Sequence, residues 1–373
     1  MKKILHISSE LKFSLNAYRI YEKAFPGQNK LLITHPFWPR LKKNSLEDID
    51  IEYMNTHFFH LKMKKIVNSY DVVVLHSMNY WNTLFFLNNT NIDTKIIPCL
   101  FGFEINTNEY IKSEFYQEYV SHLVNDSFVR RVYRFLNWGI YHSQKQINLN
   151  FVKFLGQTNI LCTWEKQFKF LIKNKYISSN TYFFGFKYFP IEQMIEEIDI
   201  SKEVGKNILV GHSGDPTSSQ IEILKRLSSL SLGLKKIILP LSYGRKFHIE
   251  KVNSYGEKNL PSNFRAILNQ LPLKEYNKLL QSCGYVLMNQ KTTTGFGNIL
   301  TALFLGSKVF VNCEIIYEEL KSWGIIIYNI EDFFDKKTEP FNSEDVELNR
   351  KVLISNIGQE ALLKKIKDVI LIN

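Results

Sequence analysis

At 373 residues the chain is too long for one ordinary hydrophobic core and long enough for two α/β domains. Hydrophobic residues at 45% and charged residues at 22% fit a soluble globular protein, and no apolar run approaches the ~20 residues that a membrane-spanning helix needs. A net charge of +11 admits nucleic acid, anionic lipid or a phosphorylated substrate as partner, but a composition rich in Lys, Asn, Ile and Phe explains it equally well, so the charge speaks for a function only where basic residues cluster.

In chain order, two lysines and a short apolar run open the sequence, but Ser8, Ser9 and Glu10 follow before a segment of signal-peptide length has formed. Residues 3–8 therefore read as a first strand, and a cytoplasmic protein is expected. Cys99, Cys162, Cys283 and Cys313 are scattered without a C-x-x-C pair, which fits reduced thiols and no metal cluster. Further strands are predicted at 30–34, 49–54, 71–76, 95–99, 158–161 and 181–184, with helices over 80–87 and 109–146. Residues 185–205 interrupt the alternation with Gly185, Pro190 and an acidic stretch, and read as a linker with room for one helical turn. A second alternation then begins. Strands are predicted at 207–211, 236–240, 284–288, 308–311 and 325–328, and helices at 218–229, 273–282, 298–305 and 359–371. The expectation is an α/β protein of two Rossmann-like domains facing across a cleft. Their bounds are 1–185, a linker at 186–205, a domain at 206–350, and a C-terminal helix in 351–373 that packs back on the first domain.

Ligands of such sheets bind outside the carboxyl ends of the strands, so chemistry is sought there. Gly211-His212-Ser213-Gly214-Asp215 follows the first strand of the second half, with Ser218 placed to cap the next helix. Two glycines and a serine allow a ligand close to the backbone, at a helix end that attracts anions; an ordinary tight turn is the alternative. Thr294-Gly295-Phe296-Gly297-Asn298 opens another helix, where amides and the helix dipole suit a diphosphate. Tyr243 and Arg245, after the second strand, add a stacking group and a cation. In the first half, His76 and Glu104 stand just past apolar strands, and each is a candidate for the general base that accepts a hydroxyl proton. Arg130, Arg131, Arg134 and Trp138 belong to a basic and aromatic segment suited to an anionic membrane surface; a packed helix with a solvated basic face is the alternative.

These motifs resemble glycosyltransferase family 56. Ile208 to Asp215 is similar to the family's ILVGNSGD, Pro240 to Tyr243 to its PMGY, and Tyr276 to Cys283 followed by Gly295-Phe296-Gly297 to its YLALLRQC and GIG. His76 and the Gly102/Glu104 pair correspond as well, with Glu104 where the family has Asp. The resemblance implies the GT-B type of fold, in which the donor diphosphate binds at the Gly295 turn. It also implies a donor of dTDP-linked 4-acetamido-4,6-dideoxygalactose and a polyprenyl-diphosphate-linked acceptor at the cytoplasmic face of a bacterial inner membrane, as in enterobacterial common antigen or O-antigen synthesis. No cofactor or metal is expected beyond the nucleotide sugar, and no nucleic acid. Pro216 stands where the family has Arg, and Met288 to Thr292 departs from its FARQQ; both departures bear on the donor sugar more than on the reaction class. A nucleotide-sugar epimerase of the same fold, or a non-enzymatic membrane or nucleic-acid binder, are the other readings.

Overall fold

The computed structural model describes residues 2–35, 49, 51–78, 83, 86–87, 94–111, 144–196, 198–335 and 341–372. The chain divides into two compact units, Met1–Tyr188 with Leu362–Asn373, and Phe189–Ala361.

In the first unit the elements are β1 (Ile4–Ser8), α1 (Leu11–Ala24), β2 (Asn29–His35), β3 (Ile51–Asn55), α2 (Thr56–Val67), β4 (Val72–His76), β5 (Lys95–Cys99), α3 (Phe103–Asn106), α4 (Gln144–Gly156), β6 (Ile160–Leu161), α5 (Glu165–Lys173) and β7 (Tyr182–Phe183). Five strands pair in parallel in the order β3-β2-β1-β4-β5. A bridge between Cys99 and Cys162 carries the sheet on to β6, and β7 pairs with β6. Every residue of β1 and β4 is buried; β4 reads as an apolar run up to His76, and β1 carries the buried polar residues His6 and Ser8 among its apolar ones. One face of the sheet packs Leu5, Ile7, Val73 and Leu75 against Phe151, Leu155, Phe168 and Leu171. The other packs Ile4, Val72 and Val74 against Tyr21 and against Leu362, Ile366, Val369 and Ile370 from the end of the chain.

Helix α1 starts where the Glu10 carboxylate accepts from the N–H groups of Lys12 and Phe13. The helix predicted over 109–146 does not begin at 109. Asn108 Oδ1 accepts from Tyr110 N–H at 3.0 Å, a local turn that competes with the helical ladder. Residues 144–146 already belong to α4, and those between lie outside the described residues, as do most of those predicted as a helix over 80–87.

The second unit contains α6 (Ile191–Met194), β8 (Asn207–Val210), α7 (Gln220–Leu227), β9 (Ile237–Pro240), α8 (Lys246–Asn259), β10 (Phe264–Ile267), α9 (Leu273–Gln281), β11 (Cys283–Met288), α10 (Phe296–Leu305), β12 (Lys308–Val311), α11 (Glu314–Trp323), β13 (Tyr328–Asn329), α12 (Asp332–Asp335) and α13 (Ser343–Ile357). Helix α14 (Gln359–Leu371) begins in this unit and returns to the first. Its six strands are parallel, in the order β10-β9-β8-β11-β12-β13. Ile208, Val210, Leu239, Tyr285 and Leu287 pack on Ile223, Leu227 and Val252 on one side of it. In both sheets the strand order reverses beside the unit's first strand, between β1 and β4 and between β8 and β11. Those two points are where ligands of open parallel sheets bind.

Candidate active site

Three loops of the second unit leave the carboxyl ends of neighbouring strands: 211–215 after β8, 241–245 after β9 and 289–295 after β11. The first two touch backbone to backbone. Gly214 N–H donates to Tyr243 O at 2.7 Å, and Arg245 N–H to Gly214 O at 3.1 Å. A Cβ on Gly244, whose φ is +132°, would stand 2.3 Å from the Gly214 carbonyl carbon, so only glycine permits the approach. The third loop closes on the first at Gly295, with φ +74°, where a Cβ would stand 2.8 Å from His212 Nδ1. From behind, Gln220 Nε2 donates to Ser213 O, while its Oε1 accepts from His248 Nε2 at 3.0 Å.

The structure divides the predicted donor-binding residues into two groups. Some are committed to holding the loops. Asp215 accepts from Thr217 N–H at 2.9 Å and caps the 3-10 turn Pro216–Ser218. That turn displaces the helix start: α7 begins at Gln220 behind Ser219 in the left-handed conformation, so Ser218 is not its cap. Asn298 Nδ2 donates to Tyr276 Oη at 2.8 Å and ties α10 to α9. Phe296 sets its ring edge-on to Trp323 at 6.4 Å. Arg245 supplies the N-cap position of α8, and Thr294 shares a hydroxyl hydrogen bond with Thr292 at 2.7 Å. The others remain open for contact. Tyr243 is exposed at its loop tip, and apart from its chain neighbours and its own helix backbone nothing lies within 4 Å of the Cβ position of Gly297. Ile299 N–H to Gly295 O is the first bond of the α10 ladder, so the Gly297 and Asn298 N–H groups precede it and form an anion-binding end with the helix dipole. His212 is buried beneath this turn, and burial lowers its pKa to about 4, so it is neutral at neutral pH.

In the first unit, Glu104 sits in α3 with its carboxylate buried. Oε2 accepts from the N–H groups of Phe101 (3.0 Å) and Gly102 (3.1 Å), and Oε1 from Ser77 Oγ (3.0 Å) and Met78 N–H (3.5 Å). Burial raises its pKa to about 7, against the opposing effect of these donors. Ser77 follows β4 in the left-handed region, φ +66°, and is half-buried, while the carboxylate to which its hydroxyl donates belongs to a buried residue. The Phe13, Phe101 and Tyr188 rings pack together with centroids 5.2 to 5.7 Å apart, and Phe103 is 55% exposed next to Glu104.

His76 is placed differently. It is buried with both ring nitrogens engaged: Nε2 lies 3.0 Å from His6 Nδ1, and Nδ1 lies 3.1 Å from Tyr188 Oη. His6 Nε2 in turn meets Asn29 Oδ1 at 3.2 Å, and Asn29 Nδ2 donates to Glu22 at 2.9 Å. Because Asn29 Oδ1 can only accept, the bonds run one way, from Tyr188 through His76 and His6 to Asn29. Burial keeps both imidazoles neutral, with His6 lowered to about 4 and His76 lowered as well. Ser77, His6 and Gln290 were not singled out from the sequence. Ser77 and Gln290, one and two residues past strand ends, carried a signal by position, and His6, inside a strand, carried none. Arg130, Arg131, Arg134 and Trp138 lie outside the described residues. Among the described residues, no three His, Cys, Asp or Glu side chains gather as metal ligands, and no helix is long and apolar enough to cross a membrane.

A sequence profile of the family described as 4-alpha-L-fucosyltransferase, glycosyl transferase group 56, matches residues 140–328, just over half of the chain. The chain belongs to that family. As a group 56 member it is a nucleotide-sugar glycosyltransferase, and solved structures show the GT-B fold. A glycosyltransferase from Rickettsia africae is 11% identical with a TM-score of 0.63, covering 99% of this chain and 97% of that one. The Anabaena protein HepE in complex with UDP-glucose is 11% identical with a TM-score of 0.61, covering 99% of each. The UDP-GlcNAc 2-epimerase of Neisseria meningitidis bound to UDP-GlcNAc is 15% identical with a TM-score of 0.52, covering 100% of each. At these identities the likeness concerns fold alone.

Proposed function

We propose that this group 56 protein transfers 4-acetamido-4,6-dideoxygalactose from its dTDP donor to a polyprenyl-diphosphate-linked saccharide. It would work in the cytoplasm at the inner face of a bacterial membrane, in surface-polysaccharide synthesis. The observation that carries the donor side is the meeting of the 211–215 and 289–295 loops at Gly295, beside the amide end of α10. The diphosphate binds there, and charge that develops on it as the bond from the sugar C1 breaks is met by fixed amides that need no reorganisation. On the acceptor side Glu104 is the base. The attacking hydroxyl oxygen bonds to C1 and its proton passes to Glu104 Oε1, directly or through Ser77 Oγ, while the nucleoside diphosphate leaves with the bonding electron pair. A carboxyl with its pKa near 7 is matched to that task at neutral pH. His76, with both nitrogens engaged, supports the neighbouring Tyr188. The family resemblance supports the dTDP amino sugar and lipid acceptor, and the basic aromatic segment around Arg130 supports the membrane face.

A thermal-shift comparison tests this reading. dTDP and dTDP-sugars raise the melting temperature and NAD does not; an equal shift with NAD, or none with any nucleotide sugar, overturns it. Product analysis without acceptor separates transfer from epimerisation, because an epimerase converts the donor alone.

A further inference from the structure

Among the described residues of the second unit, three polar side-chain atoms are buried without a hydrogen-bond partner, His212 Nδ1, Ser218 Oγ and Gln290 Oε1, and two of them belong to residues that flank Gly295, His212 and Gln290. Leaving such an atom unmatched costs on the order of 1–3 kcal/mol, so two at one place call for an account. Both side chains lie beneath Gly295, where a Cβ would stand 2.8 Å from His212 Nδ1 and 3.3 Å from Nε2 of the Gln290 amide. Gln290 Nε2 donates to Thr294 O at 2.9 Å, which fixes the amide orientation and leaves Oε1 as an acceptor. Gln290 is 1% exposed and His212 is 8% exposed, so neither is a surface group that water would serve.

The chemistry of the pair does not suit phosphate. A phosphate oxygen brings no hydrogen to Gln290 Oε1, and a neutral imidazole offers no positive charge. A hydroxyl suits both atoms: its O–H donates to Gln290 Oε1, and its oxygen accepts from His212 when the ring proton is on Nδ1. We propose that His212 and Gln290 together read a hydroxyl on the sugar of the donor, and that the 290–295 turn lifts off them to admit it. The turn is fastened by the bond from Gln290 to Thr294, so the residue that reads the sugar also releases the cover. The diphosphate stays with the α10 amides. This inference rests on the second-unit loops being the donor site, as proposed above.

Binding calorimetry separates the two claims. The probes are UDP, dTDP and GDP with UDP-glucose, UDP-N-acetylglucosamine, dTDP-glucose and GDP-mannose, on the full chain. His212→Leu replaces a polar group that has no partner by an apolar one of similar size, so that variant melts no lower than the wild type without ligand, whereas Gln290→Met also gives up the bond to Thr294 O and is expected to melt slightly lower, which is why affinity and not stability is the readout. Each variant is expected to lose about tenfold in affinity for the nucleotide sugar while its affinity for the bare diphosphate stays within about twofold. Deoxyfluoro sugar nucleotides then locate the hydroxyl: at one position, fluorine abolishes the difference between variant and wild type. If the variants lose diphosphate and nucleotide sugar alike, or neither, or if no fluorinated position removes the difference, the sugar-reading role is overturned while the donor site stands. If the wild type binds none of the probes, the donor reading falls first and takes this inference with it.

Discussion

Where β1 and β4 end, the Glu104 carboxylate accepts from the Ser77 hydroxyl and from the backbone amides of Met78, Phe101 and Gly102, and His76 bonds to His6 and Tyr188. Where β8 and β11 end, the loops meet through glycines, amides stand at a helix end, and His212 and Gln290 keep polar atoms unmatched. The same strand order thus supports two kinds of site. One has its hydrogen bonds completed in advance, around a carboxyl that can hold or release a proton; the other has bonds left to make, as a site for the proposed donor would.

Three substitutions would break or sharpen that contrast. The largest effect is expected from Glu104→Gln. Turnover falls on the order of 10²-fold or more while nucleotide affinity stays unchanged, since the donor loops belong to the other unit. The wild-type kcat/KM falls as pH drops through about 7, because the base must be ionised, and the variant's residual rate lacks that limb. Steady-state kinetics against pH read both, and an unaltered profile in the variant would remove Glu104 from the chemistry. Next comes Gly244→Ala, whose methyl group would overlap Gly214 at 2.3 Å at a φ of +132°. Strain on the order of 1–3 kcal/mol separates the two loops and weakens dTDP binding in calorimetry, with the first-unit site intact. Undiminished binding would show that the loop junction is not part of the donor site.

The smallest effect belongs to Tyr188→Phe, which leaves His76 Nδ1 without its donor and costs about 1 kcal/mol in urea unfolding. Acid sharpens this result. His6 and His76 are lowered from 6.5 in the folded state, so the unfolded chain binds protons first. Stability held above pH 6.5 is therefore lost as pH falls toward about 4. Glu104 works the opposite way. Its raised folded pKa favours the folded state most below about 4.5, and that contribution is lost as pH rises through about 7. Urea midpoints at pH 7 and pH 5 for wild type and Glu104→Gln resolve the two.

Most of the parallel strands were legible in the sequence because strands buried on both faces are written as apolar runs, as in residues 72–75 or Ile237–Pro240, whereas β10 (Phe264–Ile267), which has no fully buried residue, was not expected. The helices between them were less so. Over its 14 residues α8 buries only Val252 and Gly256, so it shows no apolar stripe to read. Helix α1 buries Ser14 and Asn16, whose side chains bond back to helix carbonyls, and its polar letters disguise an inward face. The glycine loops could be read because glycine at a strand end has few other uses. His6 could not be paired with His76, since only the register that sets Ser8 opposite His76 brings the two rings together. The orphaned atoms of His212 and Gln290 could not be read either, because being unmatched is a property of surroundings and not of residue type.

The return of α14 has a consequence for synthesis. Leu362, Ile366, Val369 and Ile370 complete the packing against Ile4, Val72 and Val74, yet they are translated after all of residues 189–361. On the ribosome, the second unit has its whole sequence available before the first has its final helix. The nascent chain is thus expected to close its later half first and to leave an apolar face of the earlier half waiting, within reach of chaperones, until its last dozen residues emerge.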